Sequence, residues 1–83
     1  MESYKTKGTC SRQIDFEIEN NKVKSVRFVN GCDGNLKGIS SLVEGMDIDW
    51  VIERLQNIQC GMKGTSCPDQ LSKALKEYKT NQA

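Results

Sequence analysis

The stretch Gly64-Thr65-Ser66-Cys67-Pro68-Asp69 carries the signals that begin a helix. Ser66 and Asp69 have the S-x-x-D spacing of a capping box, in which each side chain bonds a backbone N–H that the helix leaves without a partner. Pro68 suits the first turn, because its missing amide hydrogen is not needed there and its φ is already helical. The stretch therefore predicts the start of the last helix, with the thiol of Cys67 in its first turn.

The residues after this stretch repeat apolar side chains at helical spacing. The repeat consists of Leu71, Ala74, Leu75 and Tyr78. This spacing predicts a helix with one apolar face packed on the rest of the domain. Exposed N–H groups and the helix dipole favour a thiolate over a thiol at Cys67, and the thiolate is the form that binds metals or attacks disulfides. The alternative is that Cys67 is a small apolar residue filling the helix entrance.

A β-hairpin is predicted upstream, because apolar and polar residues alternate from Arg12 onward. The apolar positions are Ile14, Phe16 and Ile18. Their period of two is typical of a half-buried strand. Asn20-Asn21 supplies turn chemistry, since asparagine tolerates a positive φ, and residues 23–29 then form the second strand. The polar residues 3–9 predict a short edge strand, with a frayed arm as the alternative.

The faces and ends of this hairpin follow from its register. Val26 and Phe28 share one face, whereas Val23 lies on the other face unless a bulge intervenes. Cys10 enters the hairpin and Cys32 leaves it. An antiparallel pairing centred on the asparagines therefore brings both thiols near the same open end.

Two further helices are predicted between the hairpin and residue 64. Asn35 opens the first helix and Gly45 caps its C-terminal end. Its apolar positions are Leu36, Ile39, Leu42 and Val43. Asp47 is the N-cap of the second helix, whose apolar positions are Ile48, Val51, Ile52 and Leu55. Trp50 lies off that stripe; we expect it at the edge of the core, with contact to a partner as the alternative. The fold class is thus α+β, a small antiparallel sheet of two or three strands followed by three helices packed on it.

Length and composition limit the function classes. The 83 residues fit a single domain, 1–83, with a small core. The net charge of +1 gives no electrostatic footprint for nucleic acid or an acidic membrane. The start of the chain is polar and no stretch reaches the roughly 18 apolar residues that a membrane span needs. We therefore expect a soluble, cytoplasmic protein.

Four cysteines and no histidine define the possible metal chemistry. The cysteines are Cys10, Cys32, Cys60 and Cys67. In a reducing cytoplasm they are expected to be metal ligands or redox thiols, whereas in a secreted chain they would form two disulfides. No C-x-x-C pair occurs, so a metal site would be assembled by the fold, with Asp33 or Asp69 as additional candidate ligands.

Cys60 and Cys67 enclose a short loop with two glycines. The pair is suited to joint chemistry, either on one metal or as a disulfide. Lys63 and Gly64, just before the predicted helix, are candidates for binding an anion such as phosphate.

The sequence resembles the TSCPD domain family over nearly its whole length. Thr65-Ser66-Cys67-Pro68-Asp69 spells the letters that name the family. Further matching stretches are Gly8-Thr9-Cys10-Ser11, Gly31-Cys32-Asp33-Gly34-Asn35-Leu36, Leu42-Val43-Glu44-Gly45-Met46, Cys60-Gly61 and Gln70-Leu71. The same domain occurs at the C-terminal end of cobalamin-dependent ribonucleotide reductases, which implies a role beside deoxyribonucleotide synthesis. The chain is far too short for the catalytic barrel of a reductase, so we predict no catalytic residues and no catalysis by the chain alone.

A more distant resemblance is to iron-sulfur cluster scaffold proteins of the NifU-like type, which have a similar order of strands, helices and cysteines. It implies that Cys10, Cys32 and Cys67 are ligands of a cluster or of zinc. The sequence departs from that pattern in two places. The aspartate that the scaffold proteins have at the first cysteine is missing, since Ser11-Arg12 follows Cys10, and Ser66 replaces the histidine before the last cysteine. Cys60 is the candidate for the fourth ligand.

Three hypotheses for function follow. The first is an accessory module of ribonucleotide reductase that binds zinc or an iron-sulfur cluster through the four cysteines. The second is a thiol relay in which Cys60 and Cys67 exchange disulfides with a reductase or another redox protein. The third is a non-catalytic regulatory domain that binds a partner or a nucleotide and buries its cysteines as packing residues.

Overall fold

The structure is a computed structural model that describes residues 2–9, 11–29, 33–59 and 64–82. Three strands precede three helices along the chain: β1 (Glu2–Lys5), β2 (Gln13–Glu19), β3 (Lys22–Val29), α1 (Asp33–Val43), α2 (Ile48–Leu55) and α3 (Cys67–Gln82). The strands form one antiparallel sheet in the order β1-β2-β3. The predicted α+β fold, a small antiparallel sheet followed by three helices, is confirmed. No helix within the described ranges has the length and apolar character needed to cross a membrane.

The turn between β2 and β3 has the predicted asparagine chemistry. Asn20 and Asn21 have φ values of 55° and 63°. Positive φ at both central residues is characteristic of a type I′ turn, whose twist matches the twist of the two strands that it connects. The asparagines therefore fix where the two strands reverse.

A β-bulge lies next to this turn and changes which side chains of β3 are buried. Ser25 pairs with Glu17, but Val23 pairs with Ile18, so Lys24 is an additional residue on the β3 side. Val23 is consequently fully buried on the same side as the core, together with Val26. The β-bulge that would move Val23 to the face of Val26 is thus present.

The connection between α1 and α2 is anchored to β3. Gly45 has a φ of 81°, which confirms the left-handed C-terminal cap. The Gly45 N–H donates to the carbonyl of Val23 (2.7 Å), and the Val23 N–H donates to the carbonyl of Met46 (2.9 Å). The predicted N-cap of α2 is also confirmed, since the carboxylate of Asp47 accepts a hydrogen bond from the N–H of Asp49 (3.1 Å).

One hydrophobic core joins the inner face of the sheet to the helices. Its buried members are Ile14, Phe16, Val23, Val26, Val43, Ile48, Val51, Leu71, Ala74 and Leu75. Tyr78 completes the predicted stripe of α3 by packing edge-to-face on Phe16, with ring centroids 6.1 Å apart. The last helix therefore contacts the sheet through its apolar face, and it runs to Gln82.

Two apolar side chains predicted to be buried are exposed. Leu42 is 73% exposed, because it lies about 100° around α1 from the buried Val43 and so points away from β3. Trp50 is 42% exposed, since it lies about 200° around α2 from the buried Ile48. The guanidinium of Arg54 lies 5.3 Å from the centre of the Trp50 ring, a cation–π arrangement on the helix surface. The expectation that Trp50 lies at the edge of the core was wrong, and its contact with a partner stays a prediction.

The start of α1 also differs from the prediction. The helix begins at Asp33, so Asn35 lies inside the first turn and does not precede it. Helix ends are defined by backbone hydrogen bonds, and a sequence pattern fixes them only to within one or two residues.

Candidate functional site

The first turn of α3 is the candidate site, and Ser66 is its N-cap. The Ser66 hydroxyl accepts a hydrogen bond from the N–H of Asp69 (3.1 Å), which confirms one half of the predicted capping box. The same hydroxyl donates to the carbonyl of Ile58 (2.6 Å). Ser66 thus starts α3 and also ties it to the segment that follows α2.

Asp69 does not complete the capping box in the predicted way. One of its carboxylate oxygens accepts the N–H of Asn57 (2.7 Å), and the other accepts the hydroxyl of Thr65 (2.6 Å). The ammonium group of Lys73, one turn along α3, lies 3.5 Å from the second oxygen. Because both oxygens accept bonds from the protein, Asp69 has a structural role, and its use as an additional metal ligand is not supported.

The environment of Asp69 keeps this buried carboxylate ionised. Burial by itself would raise its pKa, but hydrogen bonds from Thr65 and Asn57 and the charge of Lys73 act in the opposite direction and outweigh burial. The net result is a lowered pKa. Asn57 reaches the carboxylate by adopting a left-handed backbone, with a φ of 66°, just after α2.

A second set of contacts fastens the segment after β1 to the same helix start. The side-chain amide of Gln70 donates to the hydroxyl of Thr65 (3.0 Å), and its oxygen accepts the N–H of Lys7 (3.2 Å). Gly8, with a φ of 74°, packs so closely that a Cβ there would lie 3.3 Å from the methyl group of Thr65. The Thr65 side chain therefore contacts both α3 and the segment that leads into β2.

The thiol of Cys67 is buried at the point where these segments meet. Its exposed fraction is 6%, and its sulfur lies 3.2 Å from the hydroxyl oxygen of Ser11, within hydrogen-bond distance. The carbonyl of Ser11 in turn accepts hydrogen bonds from the hydroxyls of Thr6 and Thr9. Ser11 is therefore held in place beside the sulfur.

Most of the predicted site residues lie outside the part of the chain that the structure describes. These are Cys10, Cys32, Cys60 and Lys63, together with the side chain of Asp33. Within the described ranges, no three cysteine or acidic side chains come together as a metal-binding group. Gly64 is exposed, and a Cβ there would meet no atom within 4 Å. The metal site and the anion site stay predictions.

Ser11, Asn57 and Gln70 were not predicted as site residues, although each forms a hydrogen bond at the helix start. Ser11 is separated from Cys67 by 56 positions and Lys7 from Gln70 by 63 positions, so no local pattern links these pairs. Asn57 did carry a signal. An asparagine directly after an amphipathic helix favours the left-handed conformation that it adopts here.

Comparisons with known proteins agree with the first resemblance. The family model of the TSCPD domain matches residues 2–79, which is nearly the whole chain. A search of curated proteins and a search of solved structures each find no match. The likeness to NifU-like scaffold proteins therefore stays a prediction.

Proposed function

We propose, since this chain belongs to the TSCPD domain family, that it is a non-catalytic accessory module of ribonucleotide reductase that binds one metal centre through its four cysteines. The link to the reductase rests on the family resemblance. The proposed ligands are Cys10, Cys32, Cys60 and Cys67. A set of four thiolates suits tetrahedral zinc and equally an iron-sulfur cluster.

The observation that carries the proposal is that described neighbours of all four cysteines contact one another. Ser11, which follows Cys10, contacts the sulfur of Cys67. The carbonyl of Ile58, two residues before Cys60, accepts the hydroxyl of Ser66.

The third contact lies at the open end of the hairpin. The N–H of Arg12 donates to the carbonyl of Val29 (2.8 Å), three residues before Cys32. Described residues at or within three positions of each cysteine in the sequence are thus linked by contacts at the start of α3 and at the open end of the hairpin.

The surroundings of Cys67 favour a metal ligand over a relay thiol. A thiol that exchanges disulfides with a partner needs access to solvent, but Cys67 is 6% exposed. A metal ligand is instead buried and oriented by a neighbouring hydrogen bond, which is the position of the Ser11 hydroxyl. When bound, the metal would join the open end of the hairpin to the start of α3.

Cysteine variants with a chelator test the metal proposal. We expect Cys32→Ser and Cys67→Ser to lose the metal and to melt at a lower temperature than the parent, because metal-binding free energy in a small domain is also folding free energy. A chelator should lower the melting temperature of the parent to that of the variants and leave the variants unchanged.

Ser11→Ala is a graded companion to these variants. It removes the hydroxyl beside Cys67 and no proposed ligand, so it should weaken metal binding by about 10–100-fold but, unlike the cysteine variants, still bind metal when the metal is in excess. If both cysteine variants keep the melting temperature of the parent and the chelator has no effect, the metal proposal is wrong.

The reductase association is tested separately. The purified chain is added to a cobalamin-dependent ribonucleotide reductase, and turnover and complex formation are measured. We expect a complex that the Cys67→Ser variant weakens. No complex and no change in turnover would refute the association without bearing on the metal.

A further inference from the structure

An open groove of about 430 Å³ lies between β3 and α1, away from the first turn of α3. Val26, Arg27 and Phe28 form one wall, and Leu36, Lys37 and Glu44 form the other with two serines of α1. Successive strand residues point to opposite faces of a sheet. A groove lined by three successive residues therefore runs along the edge of β3.

The edge of β3 is already paired over its first residues by a segment of the same chain. Lys22 forms an antiparallel bridge with Asp47, and Val23 exchanges backbone hydrogen bonds with Gly45 and Met46. Gly45, Met46 and Asp47 therefore occupy the position of a fourth strand, and the chain then turns away from β3 to begin α2. The groove continues along β3 from Val26, where β3 is the edge strand of the described sheet.

The charges of the groove select for an acidic occupant. Arg27 and Lys37 both line it, and neither takes part in an ion pair within 4 Å among the described residues, although Arg27 is the cross-strand neighbour of Asp15. Glu44 is the acidic group of the lining and lies two turns along α1 from Lys37. The walls also present Phe28 and Leu36. A ligand that alternates acidic and apolar side chains would match both sets of residues.

We propose that this groove binds an extended, acidic segment of a partner protein, which adds to β3 as a strand. Its backbone would pair with the edge at Val26–Phe28, its acidic side chains would face Arg27 and Lys37, and its apolar side chains would contact Leu36. The groove spans the eight residue steps from Leu36 to Glu44, which is about 12 Å of helix. That length fits about three to four residues of a strand.

A second copy of this chain is a poorer match for the groove. β3 carries Lys22, Lys24 and Arg27. Antiparallel pairing of two β3 strands centred on Arg27 would place the two Arg27 side chains directly opposite one another, which is destabilising. The charge pattern therefore favours an acidic strand from another protein.

The test is a titration of the isotope-labelled chain by NMR with two short acetylated peptides. One alternates valine with glutamate, and the other alternates valine with lysine. We expect the acidic peptide to shift the amide signals of Val26–Phe28 saturably and to slow their hydrogen exchange, because new backbone hydrogen bonds form there. A proline at the centre of the acidic peptide should abolish binding, since it removes a backbone donor.

Charge reversal provides the matched variants. Arg27→Glu and Lys37→Glu should each weaken binding of the acidic peptide by about tenfold or more. Lys76→Glu, on α3 and outside the groove lining, is the control and should bind as the parent does. All three side chains are exposed, so folding should be unaffected.

Four results would overturn the proposal. The first is no shift at Val26–Phe28 with the acidic peptide, and the second is equal binding of the lysine peptide. The third is displacement of the acidic peptide by inorganic phosphate that shifts the same amide signals. The fourth is concentration-dependent dimerisation that shifts the signals of β3 without peptide. The third would indicate a small-anion site and the fourth a self-association surface. None depends on whether the cysteines bind metal.

Discussion

Asp69 is the residue on which the start of α3 depends most. It is almost fully buried, and its two oxygens accept a backbone N–H from the end of α2 and the hydroxyl of Thr65. Removing a buried charged acceptor leaves both donors without a partner, and unsatisfied buried groups are more costly than a lost surface contact. The aspartate that ends the five-letter signature therefore has a structural explanation that requires no metal.

Asp69→Asn should lower the free energy of unfolding by about 2–3 kcal/mol at neutral pH, because the amide nitrogen would face a hydrogen-bond donor. The effect should depend on pH. The pKa of Asp69 is lowered in the folded state, so its stabilisation is complete above the unfolded value near 3.9 and is lost as the pH falls through the lower folded value. Urea unfolding from neutral to acid pH should show parent and variant converging below about pH 4.

Asp49→Asn is the control for this prediction. Asp49 lies on the surface of α2, where its carboxylate pairs with Lys79 of α3. An exposed pair contributes less than about 1 kcal/mol, so little change is expected. Equal losses for the two variants at neutral pH would mean that the buried network around Asp69 stabilises the fold no more than an exposed ion pair does.

At the scale of elements, the hairpin turn depends on backbone conformation. Asn20 has a positive φ, which a β-branched residue adopts only with strain. Asn20→Val should therefore reduce the free energy of unfolding by about 1–2 kcal/mol. Asn20→Gly should change it by less than about 1 kcal/mol, since glycine adopts this conformation without strain. Equal stabilities of the two variants in urea would contradict the assigned turn.

The helices allow a comparison of two leucines that have the same chemistry and different burial. Leu75 is fully buried, whereas Leu42 is 73% exposed. Leu75→Ala should cost about 2–5 kcal/mol, and Leu42→Ala should cost less than about 0.5 kcal/mol. Urea unfolding of both variants tests this, and a large loss at Leu42 would place it in contact with something that the described core does not contain.

Local patterns predicted the elements well because their causes are local. The alternation in β2, the asparagine turn, the Gly45 cap and the Asp47 N-cap each follow from the preferences of a few neighbouring residues. The side of a helix that faces the core is less certain when apolar residues span a wide arc. For that reason Leu42 was assigned to the core with Val43 but is exposed.

The candidate site was predicted less completely because its contacts are long-range. The cap at Ser66 is local and was found, whereas the bonds of Ser11 to Cys67 and of Asn57 to Asp69 join distant segments. No periodicity records such pairs. They became visible only when the sheet and the helices were in place.

At the scale of the whole molecule, the chain has a small core that the proposed metal would supplement. Ten buried apolar residues form the described core cluster, and chains of this size often add a metal, disulfides or an oligomer to such packing. The proposed centre would join the sheet to the N-terminal end of α3, near its first turn. The Phe16–Tyr78 contact joins the sheet to the C-terminal half of the same helix. Loss of metal should therefore destabilise the whole domain and not one loop.

Lys63 tests whether the loop before α3 has a separate function. Lys63→Ala should leave metal content and melting temperature at the values of the parent, because lysine is not a ligand in the proposed site. Titration of both proteins with inorganic phosphate checks the predicted anion site of Lys63 and Gly64. Weaker phosphate binding by the variant would support that site, and equal binding would refute it.

The most direct test of the proposed metal centre is elemental analysis of the tag-free protein purified without oxygen, with a visible spectrum and a count of reactive thiols. We expect about one zinc per chain, or iron with the absorbance of a cluster, and thiols that react only after a chelator is added. Metal-free protein whose four thiols react at once would contradict this proposal.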